Sequence, residues 1–223
     1  MSRAKPRLVL LGKQGAGKGT QATRVAEHYS VAHLSTGDMF REQASLGTAF
    51  GLEAKRYMDS GGLVPDEVVI GLVEERLARP DAAGGFVLDG FPRTAAQAEA
   101  LDAMLKRSGQ ALDRVVFLDV GREELLRRLT GRRTCGQCGT AFHLVSAPPR
   151  TAGRCDKCGG ELTQRSDDTR EAVANRLDVY ENQTAPLLAY YRQRGLLASV
   201  AGEGAMGDVA ADIRKAVKRA VPA

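Results

Sequence analysis

Leu8-Val9-Leu10-Leu11 runs directly into Gly12-Lys13-Gln14-Gly15-Ala16-Gly17-Lys18-Gly19-Thr20. An apolar strand-like run, a glycine loop and the start of a helical pattern make a phosphate cradle. Backbone N–H groups and the positive end of a helix converge on one anion, and Lys18 adds a mobile charge for the outer phosphates. Gly15, Gly17 and Gly19 keep side chains out of that approach, with Ala16 and Thr20 completing the loop. The spacing follows the phosphate-loop template with one departure. Gly19 stands where Ser or Thr usually follows the lysine, so the hydroxyl that commonly ligates magnesium is displaced to Thr20.

Outward from this loop, short apolar runs alternate with longer amphipathic stretches, the pattern of a parallel sheet with crossover helices. Strands are expected near 7–11, 32–34, 86–88, 115–118 and 197–200. Helices are expected over 18–28, 66–78, 95–106, 123–129, 169–194 and 208–218. The fold class is therefore α/β, a doubly wound five-stranded parallel sheet around a phosphate loop. Two segments break the alternation. From Gly37 to Leu63 the helical pattern runs long and is interrupted by Gly47 and Gly61-Gly62, which predicts a small helical lobe. From Gly131 to Gln164 the chain turns rich in Gly, Cys, Pro and Thr, which predicts an inserted lobe with its own stabilising device.

That device is in the cysteines. Cys135 and Cys138, then Cys155 and Cys158, form two tight pairs separated by sixteen residues, and a glycine follows each pair. Each pair aims two thiolates at one point, so four sulfurs can surround a zinc ion in a closed, structural site. A lobe this small has little core, whereas structural zinc contributes roughly 10–16 kcal/mol in small peptides. A redox dithiol and an iron–sulfur cluster are the alternatives. Paired cysteines of this kind fit a reducing compartment better than a disulfide framework.

The 223-residue chain carries a formal net charge of +5, with an isoelectric point near 9.2. Anionic partners are favoured, and mononucleotides satisfy that as well as nucleic acid does. No apolar run approaches the roughly 20 residues of a membrane span, and the stretch from Met1 to Pro6 meets a strand too soon for a signal peptide. A cytoplasmic protein without a membrane partner is expected. There is no internal repeat.

Beyond the second and third strands come Ser35-Thr36-Gly37-Asp38-Met39-Phe40-Arg41 and Leu88-Asp89-Gly90-Phe91-Pro92-Arg93-Thr94. In an open parallel sheet both emerge at the carboxyl edge beside the phosphate loop. Together with 58–66, Gln97, Gly131-Arg132-Arg133, the four cysteines and Asp167-Asp168 leading to Arg176, these motifs resemble the adenylate kinases, in their long form with a zinc-bearing lid. The resemblance spans nearly the whole chain and implies reversible phosphoryl transfer from MgATP to AMP, giving two ADP, by a monomer. It implies a core of 1–34, 65–130 and 169–223, an acceptor lobe of 35–64 and a lid of 131–168.

On this resemblance Lys18, Arg93, Arg132, Arg165 and Arg176 gather phosphates, and Asp89 holds waters of the magnesium shell. ATP would meet the 15–20 loop, Arg128, Arg132, Phe142, His143 and Gly204. AMP would meet Thr36, Arg41, Gly62, Leu63, Val64, Gly90, Arg93, Gln97, Arg165 and Arg176. Gly131, Gly37 and Gly61-Gly62 would be hinges of lobes that close around both substrates and exclude water. Phosphoryl transfer asks chiefly for positioning and positive charge, and the anionic AMP phosphate needs no general base.

Some of these residues have structural competitors. Asp168 with Glu171 reads equally as a capping box opening the long helix, Asp38 and Asp89 read as helix or strand-end caps, and His143 reads as a structural histidine. Three positions depart from the family pattern: Gln14 for a proline, the 141–149 stretch of the lid, and the loop of 201–206. Thr36 and the long lid argue against the pyrimidine nucleotide kinases, and the four cysteines against a GTP-using relative. A zinc-ribbon module binding nucleic acid is the rival from another class, and it is disfavoured by few aromatics and by the weakly basic stretch between the cysteine pairs.

Overall fold

The structure, a computed structural model, describes residues 5–218 apart from the side chain of Arg170. Residues 1–4, where the short N-terminus was read, and 219–223, the end of the expected core, lie outside the described residues.

β1 (Arg7–Leu11) leads through the glycine loop into α1 (Lys18–Tyr29), and β2 (Ala32–Ser35) follows. Next come α2 (Thr36–Ser45), α3 (Ala49–Asp59), α4 (Asp66–Leu77), the short α5 (Pro80–Ala83), β3 (Phe86–Asp89) and α6 (Ala95–Arg107). β4 (Arg114–Asp119), α7 (Arg122–Gly131), β5 (Arg132–Cys135), β6 (Ala141–His143) and β7 (Leu162–Thr163) continue the chain. α8 (Arg170–Val179), α9 (Pro186–Gln193), β8 (Leu197–Ala201) and α10 (Met206–Lys218) complete it.

Among the described residues the main sheet has five strands in the order β2-β3-β1-β4-β8, all parallel. The expected strands are present within a residue or two. The uninterrupted apolar runs follow from burial of both faces. Leu8 and Leu10 join one core with side chains of α1, α7, α8 and α10, while Val9 and Leu11 join a second with α4, α6 and α9. Because all strands run the same way, the segments after β1, β2, β3, β4 and β8 share one edge. Register places Leu10 opposite Asp89 and Leu34 opposite Leu88, so the ends of the three adjacent strands are level.

The two segments that broke the alternation adopt separate solutions. α2 and α3 pack on each other between β2 and α4, with Phe40 and Ala54 reaching the second core. In 131–164 a three-stranded antiparallel sheet, β6-β5-β7, carries the cysteine pairs.

The single helix expected over 169–194 is interrupted. Tyr180–Thr184 is a π-helical turn, closed by the Ala185 N–H donating to the Tyr180 carbonyl at 2.8 Å. Pro186 lacks the N–H that a regular α turn would use there, and the widened turn absorbs the missing bond.

Candidate functional site

The phosphate loop sits at the carboxyl end of β1. Gly17, the N-cap of α1, has φ +90° and offers no side-chain cap, so the first-turn N–H groups stay open toward the loop. A side chain at Gly17 would strain that backbone. Lys18 Nζ donates to the carbonyls of Gly12 (2.7 Å) and Lys13 (3.1 Å), spanning the loop from within. Burial pushes the Lys18 ammonium down to about 8, Asp89 partly restores it, and Arg93, Arg176 and Arg132 oppose it. A Cβ on Gly19 would stand 3.3 Å from Asp89 Oδ2. The carboxylate thus occupies the neighbourhood that a loop hydroxyl takes in the usual template.

The cations named from sequence converge electrostatically. Burial and Arg176 hold the Arg93 guanidinium at about 10. Burial, Arg41 and Arg132 do the same for Arg165, again to about 10, and Arg176 is lowered by burial and by Arg132 although Asp167 and Asp168 offset part of it. Such crowding of buried positive charge is costly without anions. Here carboxylates supply part of the compensation. Arg132 makes a two-pronged pair with Asp168, Nε to Oδ2 at 2.7 Å and Nη2 to Oδ1. Arg176 Nη1 meets Asp167 Oδ2 at 2.6 Å and Arg41 Nη2 meets Asp38 Oδ1 at 2.6 Å. Burial disfavours the charged Asp167, but Arg176 and Arg132 outweigh it and keep its carboxyl below the usual carboxylate range. Arg165 Nε donates to Thr134 Oγ1, and Arg93 Nε to the Gly90 carbonyl.

Beside this cluster lies an open cavity of ≈ 360 Å³, lined by Thr36, Gly37, Phe40, Met58, Gly62, Leu63, Val64, Val69, Gly90, Arg93 and Gln97. Apolar walls with a few fixed polar groups are the usual make-up of a small-ligand site. Thr36 Oγ1 donates to the Gly90 carbonyl at 3.0 Å. Gln97 is buried and bonded through both ends of its amide, to the Arg93 N–H and to Asp66.

A phosphate loop, an open cavity with fixed polar groups and a half-buried arginine cluster along one sheet edge have counterparts in a known family. The family model described as adenylate kinase matches residues 10–196.

The chain belongs to the adenylate kinase family.

Adenylate kinases of Carboxydothermus hydrogenoformans (54% identical, 96% of this chain and 100% of that protein), Moorella thermoacetica (55%, 96% and 98%) and Methanothrix thermoacetophila (51%, 95% and 98%) are similar over essentially their whole lengths. As a family member the chain is a kinase that transfers a phosphoryl group between ATP and AMP.

Within this adenylate kinase several expectations need correction. The capping box at Asp168 is absent: Thr169 caps α8, accepting from the Ala172 N–H, and Asp168 instead faces Arg132 and Arg176. Asp38 is not the cap of α2 either, since Ser35 accepts from the Asp38 N–H, nor does Asp89 cap a helix at the end of β3. His143 is held structurally. Its Nδ1 accepts from the Val145 and Ser146 N–H groups, its Nε2 lies 3.3 Å from the Arg127 carbonyl, and a Cβ on Gly131 would collide with its ring. Phe142, half-buried, sits beside it in β6, paired with Arg133.

Other expected residues have partners of their own. Arg128 is bound along α7 to Glu124, Nε to Oε1 at 2.6 Å. Gly204 (φ +111°) stands in the loop leading to α10, where the Gly202 N–H donates to the Asp119 carbonyl at 2.7 Å. Residues missed in the sequence include His33, whose Nε2 stands 4.0 Å from Asp89 Oδ2, Thr184, whose hydroxyl holds the Arg93 carbonyl at 2.9 Å, and Asp66. Thr184 reaches Arg93 from the π turn, a feature for which Pro186 was the one available signal.

In the lid the four cysteines are unpaired thiols whose sulfurs all lie within 4.8 Å of one another. Cys135 and Cys158 are separated by 3.4 Å, and Cys138 and Cys155 by 3.5 Å. The two pairs are built alike: the carbonyls of Cys135 and Cys155 accept from the N–H groups of Gly139 and Gly159. Donation from the Thr140 hydroxyl holds the Cys138 thiol down to about 6. A four-sulfur tetrahedron with ~2.3 Å metal bonds has edges of about 3.8 Å, so this cluster has the dimensions of a metal site.

Proposed function

We propose that ATP lies on the phosphate loop, with Gly15 to Thr20 around its phosphates, and that AMP fills the cavity between Thr36 and Gln97, with Arg93 between the two. The crowding of Lys18, Arg93, Arg132, Arg165 and Arg176 between loop and cavity carries this reading. One phosphoryl group passes from ATP to the AMP phosphate, giving two ADP, and the reaction runs equally in reverse. The arginines neutralise the charge spread over the transferring group, and Arg41, Arg165 and Arg176 hold the AMP phosphate. Asp89, a hard carboxylate, would hold magnesium brought with ATP through its water shell, and the ion would offset negative charge on the phosphates. Arg128, Phe142, His143 and the Gly204 loop flank the ATP adenine, His143 acting by fixing the turn beside it.

Segments 35–64 and 131–168 close on the remainder, 1–34, 65–130 and 169–223, and shield the reacting phosphate from water. Cys135, Cys138, Cys155 and Cys158 hold zinc, which stabilises the lid and takes no part in the chemistry. The protein works as a cytoplasmic monomer. Among the described residues no helix is long and apolar enough to cross a membrane, and the charge of +5 serves nucleotides rather than nucleic acid.

The test is ADP formation from MgATP offered AMP, GMP, CMP or UMP, run beside Arg93→Ala. AMP alone should be used well, and the variant should lose about 10²–10³-fold in kcat. Comparable use of CMP or UMP would show that Thr36 and Gln97 are misread. Metal analysis should find one zinc per chain. Chelation should expose 131–164 to protease while the core stays resistant, and an unchanged digestion pattern would refute the structural role of the metal.

A further inference from the structure

Gln97 can hold its amide in only one of its two orientations. The Arg93 N–H can only donate, and at 2.8 Å it faces Oε1. The Asp66 carboxylate can only accept, and its Oδ1 lies 2.7 Å from Nε2. Turning the amide over would set oxygen against carboxylate and NH₂ against N–H, two repulsive contacts for a side chain that is 1% exposed.

Asp66 is itself fixed. Its Oδ2 accepts from Thr94 Oγ1 at 2.8 Å, and that hydroxyl in turn caps α6 by accepting the Gln97 N–H. The carboxylate also lies in the first turn of α4, where the helix dipole favours negative charge.

With these bonds made, the Gln97 amide has one N–H and one oxygen lone pair left for a ligand. A 6-aminopurine presents a donor (N6) beside an acceptor (N1). A 6-oxopurine presents the reverse, an acceptor (O6) beside a donor (N1–H). In a given seat a fixed amide matches one of these edges and opposes the other, whereas an amide free to turn over accommodates both.

We propose that Asp66 is a specificity-determining positioning residue: by locking the Gln97 amide it makes the acceptor cavity select a 6-aminopurine over a 6-oxopurine nucleotide. This rests on the reading that Gln97 meets the acceptor base. Asp66 acts through Gln97 and needs no contact with the nucleotide.

The experiment compares AMP with inosine monophosphate, which differs at the 6-position and N1 alone, as acceptors from MgATP in wild type, Asp66→Asn, Asp66→Ala and Gln97→Ala, with Tm recorded for each. Both Asp66 variants should lower the AMP-to-IMP ratio of kcat/KM by about tenfold. The change should fall mainly in the two acceptor KM values. Asp66→Asn preserves volume, and its amide can offer Gln97 either a donor or an acceptor, so the Arg93 N–H alone is left to orient Gln97 and the variant carries the test if Asp66→Ala fails to fold. A lower Tm with an unchanged ratio overturns the proposal, because a purely structural role depresses both acceptors alike. If Gln97→Ala leaves the AMP KM unchanged, the base-contact reading falls and this inference with it. If Gln97→Ala raises that KM while the Asp66 variants keep the ratio, the inference about Asp66 alone falls.

Discussion

The Gln97 end and the Arg132 end of the site solve opposite problems. Around Gln97 the polar atoms are few, buried and satisfied by fixed partners: a backbone N–H, the Asp66 carboxylate and, for Thr36, the Gly90 carbonyl. Around Arg132 the cations are many and are paired with carboxylates, which on the proposed reading an incoming phosphate displaces or shares. A base edge can be recognised by a preformed pattern because neutral groups lose little when kept waiting. Concentrated positive charge cannot stand unpaired at low dielectric, so Asp167 and Asp168 sit beside it.

The two ends should therefore differ in what mutation reads. The largest effect is expected from Arg132→Ala, which should cut kcat by about 10²–10³-fold, while Thr36→Ala at the other end should raise the AMP KM about fivefold with a much smaller change in kcat. Steady-state kinetics in both substrates check this, and equal kcat losses at the two ends would erase the distinction.

Next in size is a stability effect. Asp168 is buried and Arg132 half-buried, so Asp168→Asn leaves a guanidinium with a neutral partner and should cost about 2 kcal/mol, on the order of 6 °C in Tm. Saturating ATP and AMP should narrow that deficit in thermal melts, because phosphate takes over the neutralisation. A deficit that nucleotides leave unchanged would mean that the pair is only a structural brace.

The smallest effect is a proton. Free Lys18 titrates near 8, and ATP phosphates favour its charged form. Binding should therefore take up a fraction of a proton that grows between about pH 7 and pH 9, with affinity weakening as pH rises through that range. Calorimetry in buffers of different ionisation enthalpy measures it. Uptake that does not grow with pH would place Lys18 outside the phosphate site.

Much of this molecule is legible along the chain because its signals are local. A strand, a glycine loop and a helix start occupy consecutive residues from Leu8 to Tyr29, and two-faced burial writes Leu8 to Leu11 as an unbroken apolar run. The cysteine pairs announce themselves by spacing, since each turn is made by four adjacent residues. Thr169 against Asp168 shows where local signals end. Both residues suit a helix cap, and the choice was made by Arg132, 36 residues away along the chain.

What the sequence alone determined is therefore the periodicity, the loop and the list of cations and thiolates. These are properties of neighbouring residues and of the parallel sheet that such periodicity demands. Tertiary structure alone decided the partners: Asp168 for Arg132, Thr184 for Arg93, and Asp66 for Gln97 across 31 residues. A buried polar group takes whichever complementary atom the packing of helices brings within about 3 Å, and that distance is set by the whole fold.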